Sequence, residues 1–272
     1  MNPNTKRLLY PRCCDKIIKT KNIPMNSSEE STVANYHLVD CKIRTGDFDC
    51  RKKLQPAAIL DYFQDVAGEH AIELGVGRDD ILAQNLVWVV VRVRFKVLKD
   101  IPIYSNIKVR TWPLESNRVF FRREYVIENE SGEECVLGSS EWVLMHTEKR
   151  RIVPAKGLFT PEGGFLTRKV FDDPSPRIRD FESENEGLRV VPRFSHIDVN
   201  GHVNNTKYAN FILDASDLSD SEIIDTFQIE YHREILKDTP VFVHIHRENG
   251  EILARGENSE KEKMFSARIT LK

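Results

Sequence analysis

The stretch HIDVNGHVNNTKYANFILDA, from His196 to Ala215, crowds acidic, amide and imidazole side chains into one short loop. Asp198, Asn200 and His202 alternate there, and a run with helical spacing follows. An Asp or Glu can activate a water molecule as a general base, or attack an acyl carbon directly as a nucleophile. A helix N-terminus directly behind His202 would present backbone N–H groups to a developing negative charge. Together these features predict hydrolysis of an acyl group.

Helix capping is the alternative explanation, because Asn and Asp side chains satisfy the free N–H groups of a first helical turn. A repeat within the chain argues against it. Asp49 stands 149 residues before Asp198, but Arg51 and Lys53 then take the places of the amide and the imidazole. A cap would be equally useful in both copies. The one-sided cluster therefore predicts a functional site in the second copy.

Each copy is predicted to contain a helix followed by a run of strands. In LQPAAILDYFQDVAGEHAIEL, residues 54–74, apolar residues recur at the three- and four-residue spacing of an amphipathic helix. Apolar and basic residues alternate in VVVRVRFKV, which predicts a half-buried strand. This order indicates an α+β class in which a sheet wraps the helix. The motifs LKDIPIY and LKDTPVF, 138 residues apart, support the repeat and would place Lys96 opposite Glu234.

Composition along the chain predicts four segments. They are a flexible leader over 1–33, a first copy over 34–160, a linker rich in Gly, Pro and charge over 161–186, and a second copy over 187–272. The first copy lacks the polar cluster, so we expect it to form a tunnel for an acyl chain. Two fused copies can satisfy each other's sheet edges, and both a monomer and a homodimer are compatible with the sequence.

The composition excludes several classes of function. A formal net charge of -2 gives no global field that would attract nucleic acid. No window approaches the roughly 18 to 20 apolar residues that a membrane span needs. Five cysteines without a CxxC pair predict free thiols in a reducing cytoplasm. His244 and His246 share a strand face but lack a third ligand in the sequence, so no metal is expected.

The motif D-x-N-G-H-V-N-N-x-x-Y, residues 198–208, resembles the active-site loop and helix start of hotdog-fold thioesterases. The doubled organisation, with RTGDFDCRKKLQPAAILDYFQDVAGEHA opening the first copy and IEYHREI in the second, resembles the acyl-acyl carrier protein (acyl-ACP) thioesterases of bacteria and plants. The resemblance implies a tandem hotdog, each copy an antiparallel sheet wrapped around a long central helix. It also implies a hydrolase of fatty acid biosynthesis that releases free fatty acid and needs no cofactor.

The resemblance places the catalytic residues at Asp198, Asn200, His202 and Glu234, with Glu234 on a strand. Plant members often have a cysteine after this glutamate. Here that position is Ile235, so a cysteine nucleophile is not expected. Whether Asp198 or Glu234 is the base or the nucleophile stays open. The residues expected to bind substrate are Val203, Asn204, Asn205, Tyr208, Leu60, Phe63 and Trp88.

The expected partner is an acyl carrier protein. Its surface is acidic, so basic groups on this chain would steer its docking. The candidates for docking are Arg118, Arg122, Arg123, Lys149, Arg150 and Arg151. An acyl-CoA thioesterase is the nearest alternative, because CoA is anionic too. A hotdog dehydratase would use a His and an acidic residue in a different arrangement. A non-catalytic acyl-binding hotdog regulator is expected to lose the polar cluster, which is intact here.

Overall fold

The structure, a computed structural model, describes residues 35–154, 157–183 and 186–272. The leader predicted over 1–33 lies outside these residues, as do Cys13 and Cys14. Within the described ranges, no helix is both long and apolar enough to cross a membrane.

The strands of the described chain are β1 (His37–Lys42), β2 (Leu86–Val97), β3 (Asn106–Pro113), β4 (Phe121–Glu128), β5 (Glu134–His146), β6 (Ile152–Val153), β7 (Leu188–Val190), β8 (Ile224–Tyr231), β9 (Val241–Glu248), β10 (Glu251–Asn258) and β11 (Lys263–Leu271). They form an antiparallel sheet in the order β1-β3-β4-β5-β2-β8-β11-β10-β9-β7, and β6 pairs with β5. The helices are α1 (Pro56–Glu73), α2 (Arg78–Leu82) and α3 (Lys207–Ser216). The strand order is mirrored about the β2–β8 pair, and the predicted α+β class is confirmed.

Helix α1 packs its apolar face against the inner face of the sheet. Leu60, Phe63 and Ala67 are buried at three- and four-residue spacing, as the sequence pattern predicts. Pro56 opens the helix at its first position, where a missing N–H costs nothing. Gly75 follows its end with a φ of 69°, a conformation that glycine adopts without strain.

The two halves join where β2 pairs with β8. Phe95 lies opposite Phe227 in this pairing, and their rings stack with centroids 5.3 Å apart. Both rings are at most 1% exposed. Helices α1 and α3 also contact each other on the inner face. One hydrophobic core therefore runs through both halves.

Residues 157–183 contact the outer face of the sheet, opposite the helices. In the first half, the Arg94 guanidinium lies 3.9 Å from the centroid of the Phe171 ring. In the second half, Gln228 Nε2 donates a hydrogen bond to the Pro176 carbonyl at 2.6 Å. The segment thus holds both halves, in the manner expected of a linker that wraps the surface. Its exact boundaries stay a prediction.

Candidate active site

A five-residue loop from Asp198 to His202 forms the centre of the site. The Asp198 N–H donates to the His202 carbonyl at 2.9 Å, and the Gly201 N–H donates to the Asp198 carbonyl at 3.1 Å. Gly201 has a φ of 87°, which residues with a Cβ rarely adopt. Asp198 Oδ1 also accepts the N–H of Asn200 at 2.8 Å. Backbone hydrogen bonds and the Asp198 carboxylate together hold the conformation of the loop.

The loop brings three polar side chains together. Asn200 Nδ2 donates to Asp198 Oδ2 at 3.2 Å, and His202 Nδ1 lies 3.8 Å from Asp198 Oδ1. The Asp198 and His202 side chains are 15% and 22% exposed, so both are accessible from one side. A carboxylate beside an imidazole and an amide can position water or polarise a carbonyl group.

Glu234 reaches this loop from a second segment. The prediction that it lies on a strand is wrong, because β8 ends at Tyr231 and the chain then leaves the sheet. The two residues before Glu234 both donate their N–H groups to the Met264 carbonyl, which interrupts the regular ladder. The Glu234 side chain is 44% exposed and its Oε2 lies 3.7 Å from Arg150 Nη2.

Ile235 holds this second segment against the loop. Its carbonyl accepts the N–H of Val203 at 2.8 Å, and its own N–H donates to the Tyr208 hydroxyl at 3.2 Å. Burial raises the pKa of Tyr208, and the negative charges of Glu234 and Asp198 raise it further. The Tyr208 hydroxyl group thus lies close enough to the Glu234 and Asp198 carboxylates for their charges to affect its pKa.

Helix α3 begins at Lys207, and the expectation that its N-terminus lies directly behind His202 is wrong. Asn204 first turns the chain, because its Oδ1 accepts hydrogen bonds from the N–H and Oγ1 of Thr206 at 2.9 and 3.0 Å. The Asn205 carbonyl accepts the hydroxyl of a tyrosine at the end of β8 at 2.9 Å. These contacts hold the start of the helix, and a direct role in substrate binding stays a prediction.

The first copy repeats the backbone of this loop. The Asp49 N–H donates to the Lys53 carbonyl at 2.9 Å, and the Lys52 N–H donates to the Asp49 carbonyl at 3.0 Å. Asp49 Oδ1 accepts the N–H of Arg51 at 2.9 Å. Each bond has its counterpart in the loop that begins at Asp198. The match of positions 149 residues apart is therefore confirmed.

The counterpart of Glu234 is Asp100, and the placement of Lys96 opposite Glu234 is wrong. The two residues before Asp100 both donate their N–H groups to the Cys135 carbonyl, as those before Glu234 do to the Met264 carbonyl. Structurally equivalent residues in this part of the two copies are thus 134 positions apart. The two LKD motifs are 138 positions apart, so aligning them shifts the second copy by four residues relative to the structural equivalence.

In the first copy, the residues equivalent to Asp198, Asn200, His202 and Glu234 form two ion pairs. Arg51 Nη2 lies 2.6 Å from Asp49 Oδ2, and Lys53 Nζ pairs with Asp100. Arg51 Nη1 also donates to two backbone carbonyls in the turn after α3, at 3.2 and 2.7 Å. The first loop thus serves as a contact between the halves, and its charged side chains are held in ion pairs.

Two family models match the chain. The model of the acyl-ACP thioesterase N-terminal domain matches residues 35–157, and that of the acyl-ACP thioesterase C-terminal domain matches residues 180–271. The chain belongs to the acyl-ACP thioesterase family.

Curated members of the acyl-ACP thioesterase family are similar over most of this chain. Palmitoyl-acyl carrier protein thioesterase of Gossypium hirsutum is 26% identical over 213 residues, which are 72% of this chain and 51% of that protein. Oleoyl-acyl carrier protein thioesterase 2 of Arabidopsis thaliana is 25% identical over 224 residues, 72% of this chain and 59% of that protein. The chain spans about half the length of the curated relatives it matches.

Solved structures of the family share the fold. An acyl-ACP thioesterase from Bacteroides thetaiotaomicron has a TM-score of 0.80 at 20% identity, covering 87% of this chain and 98% of that one. The 12:0-ACP thioesterase from Umbellularia californica has a TM-score of 0.76 at 22% identity, covering 87% and 97%. The predicted tandem hotdog fold is confirmed.

In this acyl-ACP thioesterase chain, the residues predicted to line an acyl tunnel fall into two clusters. Leu60 and Phe63 lie in the main core, where Phe63 stacks 4.3 Å from Tyr125. Trp88 belongs to a smaller cluster, in which it packs edge-on against Phe121 with ring centroids 4.8 Å apart. The structure therefore does not bring all three predicted residues together.

The Trp88 cluster lies beside the site. Trp88 Nε1 donates to the Val76 carbonyl at 2.8 Å. Two residues later, Arg78 opens α2 and donates its Nε to Asn200 Oδ1 at 3.3 Å. Sequence reasoning missed Arg78, because it stands 122 positions from Asn200 and belongs to no recognisable motif.

The six basic residues predicted for docking divide by location. Arg123 is 8% exposed and its Nη1 donates to His70 Nδ1 at 2.9 Å beneath α1, so its assignment to a docking surface is wrong. Arg122 faces the outer side of the sheet and pairs with Glu141 at 3.1 Å. Arg118 is exposed before β4. The turn between β5 and β6 carries the other three, Lys149, Arg150 and Arg151, beside Glu234.

The histidine pair on β9 sits in two different environments. His244 is buried with its Nε2 3.6 Å from Glu257, whereas the His246 side chain is 40% exposed. Across the residues that the structure describes, no group of three His, Cys, Asp or Glu side chains could hold a metal ion.

Proposed function

We propose that this protein hydrolyses the thioester of a fatty acyl-ACP and releases free fatty acid. The observation that carries the proposal is the meeting of Asp198, Asn200, His202 and Glu234 in the second copy. The equivalent first-copy positions hold closed ion pairs, so the fold itself does not require this polar group. Family membership supplies the substrate class.

In the proposed reaction, Glu234 is the base and Asp198 is a positioning residue. Both Asp198 oxygens accept hydrogen bonds from Asn200, whereas Glu234 is more exposed and has Arg150 at 3.7 Å. Glu234 takes a proton from a water molecule whose oxygen attacks the thioester carbonyl carbon. Asn200 Nδ2 and a ring N–H of His202 stabilise the oxyanion. The C–S bond then breaks, and the leaving thiolate takes the proton from Glu234.

The first copy provides the acyl chamber in this proposal. The apolar cluster around Trp88 adjoins the site through α2, and in this proposal the acyl chain would extend from there along α1 toward Phe63. Ligand chambers in proteins are lined mainly by apolar and aromatic side chains. The length of the acyl chain would be set by how far it extends along α1.

The carrier protein would approach from the side of the β5–β6 turn. Lys149 and Arg151 make no ion pair with any residue in the described part of the chain, and Arg150 lies beside Glu234. Free surface cations attract an acidic partner and lose this effect in salt. A cytoplasmic location belongs to the proposal as well; the names of several relatives carry the word chloroplastic.

Fatty acid release from acyl-ACP substrates of several chain lengths, measured beside the same acyl groups on CoA, tests the function. We expect faster release from acyl-ACP, and a loss of roughly 100-fold or more in Asp198→Ala. Equal rates on CoA would favour an acyl-CoA thioesterase. Tight acyl binding without hydrolysis of either substrate would favour a non-catalytic regulator.

A further inference from the structure

Three large apolar side chains stand exposed around the candidate site. Phe194 is 83% exposed in the short turn before Asp198, and Val199 is 86% exposed inside the loop. Leu236 is 56% exposed and forms a backbone bridge with His202. Single exposed apolar residues are ordinary, but several around one site indicate a surface that is covered in use. We call these three side chains the site-rim patch.

The first copy shows that the fold does not require this patch. At the positions equivalent to Phe194 and Val199, 149 residues earlier, it has Thr45 and Cys50. At the position equivalent to Leu236, 134 residues earlier, it has Pro102. These three first-copy residues are exposed as well. The large apolar side chains therefore accompany the intact polar cluster and are absent where ion pairs have closed it.

Basic residues border the patch. Arg193 precedes Phe194, and Lys237 follows Leu236. On the other side, Arg150 lies 3.7 Å from Glu234. Part of this charge is compensated, because Asp238 pairs with Arg193 at 2.8 Å and with Lys237 at 3.7 Å. An apolar centre with a mainly basic rim fits a partner whose own surface combines acidic and apolar side chains.

We propose that the site-rim patch is the docking surface for the carrier protein that delivers the acyl thioester. The inference rests on the proposed function and deepens it. A tethered thioester must enter beside Glu234 and His202, so the protein that bears it has to cover the residues around that opening. The patch differs from the basic residues expected from sequence, because it lies on the second copy and makes its main contacts through apolar side chains.

The test uses a double variant that combines Phe194→Ser and Leu236→Ser. Tyr104→Ser is the matched control. Tyr104 is 66% exposed and belongs to the first copy. Hydrolysis of an acyl-ACP is measured beside that of the same acyl group on pantetheine. We expect the ratio of kcat/KM on acyl-ACP to that on acyl-pantetheine to fall roughly tenfold or more, through KM. The control should change this ratio less than about twofold. Equal losses on both thioesters, or no loss on acyl-ACP, would overturn the docking surface.

Equilibrium binding of fluorescently labelled holo carrier protein, which bears no acyl group, separates this inference from the enzyme proposal. If wild type binds it and the double variant binds roughly tenfold more weakly, the surface stands even without hydrolysis. If wild type hydrolyses acyl-ACP but the double variant binds like wild type, the surface is refuted while the function stands. Absence of both binding and hydrolysis in wild type would refute both.

Discussion

Glu234 and Asp100 occupy equivalent backbone positions but have different neighbours. Asp100 pairs with the Lys53 ammonium group. Glu234 has Arg150 at a longer distance of 3.7 Å instead. The same chemical group thus pairs with a lysine in one copy and lies near an arginine in the other.

Glu234→Gln is expected to lower kcat on acyl-ACP by roughly 100- to 10,000-fold, because the amide cannot accept a proton from water. The melting temperature should stay within about 2 °C of wild type, since the side chain is 44% exposed. Asp100→Asn is the matched control and should keep kcat. Steady-state kinetics and thermal melting check both variants. A fully active Glu234→Gln protein would show that the base is another group.

Sequence alone could locate the loop but not the second carboxylate of the first copy. Asp49 and Asp198 stand in loops whose residue types mark a turn before a helix, so the loops align without structural information. The two LKD motifs share the same residue types but do not occupy equivalent positions relative to the sheet. Only the backbone hydrogen bonds to Cys135 and Met264 show that Asp100 is the equivalent residue.

At the scale of elements, each loop is preceded by a short 3-10 turn, and the two turns are stabilised differently. In the first copy the turn Thr45–Asp47 ends in a buried carboxylate. Asp47 Oδ2 accepts the Tyr62 hydroxyl at 2.6 Å and the Arg44 N–H at 2.8 Å. Burial raises the pKa of Asp47, but these hydrogen bonds outweigh it and bring the pKa below its ordinary value.

Asp47→Asn is expected to lower the free energy of unfolding at pH 7 by roughly 1 to 3 kcal/mol, because a charged acceptor is lost. The folded pKa is the lower one, so this contribution is full above the ordinary pKa of 3.8 and disappears as pH falls through the folded value. Urea unfolding at pH 7, 5 and 3.5 measures the difference. Exposed Asp40→Asn serves as control. A difference that does not shrink with acid would contradict the assignment.

The elements themselves were partly predictable. Helix α1 was predicted because its apolar spacing persists over five turns. The late start of α3 and the early end of β8 were missed. Each depends on a pair of hydrogen bonds, from Thr206 to Asn204 or onto the Met264 carbonyl, that leaves no periodic trace in the sequence.

At the scale of the whole molecule, the β2–β8 pair joins the two halves into one sheet with a shared core. Phe95 and Phe227 are paired across the junction and almost completely buried. Trp88, Trp112 and Trp142 all lie in the first half, so tryptophan fluorescence reports on that half alone. If the two halves unfold together, a change in the second half will therefore shift the tryptophan signal of the first.

Phe227→Ala should lower the free energy of unfolding by about 3 to 5 kcal/mol, because it leaves a cavity in the shared core. We expect denaturant unfolding followed by tryptophan fluorescence and by far-ultraviolet circular dichroism to shift by the same amount. Phe194→Ala, which removes an exposed ring, should shift neither signal. A fluorescence transition that keeps its wild-type midpoint in Phe227→Ala would show that the halves unfold separately.

Arg78 and Arg150 belong to the first copy and border the loop of the second. If one gene encoded a symmetric pair of such halves, every substitution would appear in both loops at once. A tandem gene encodes the two halves separately, so a mutation in one half does not change the equivalent residue of the other. The loop at Asp49 can therefore hold ion pairs while the loop at Asp198 keeps its polar cluster.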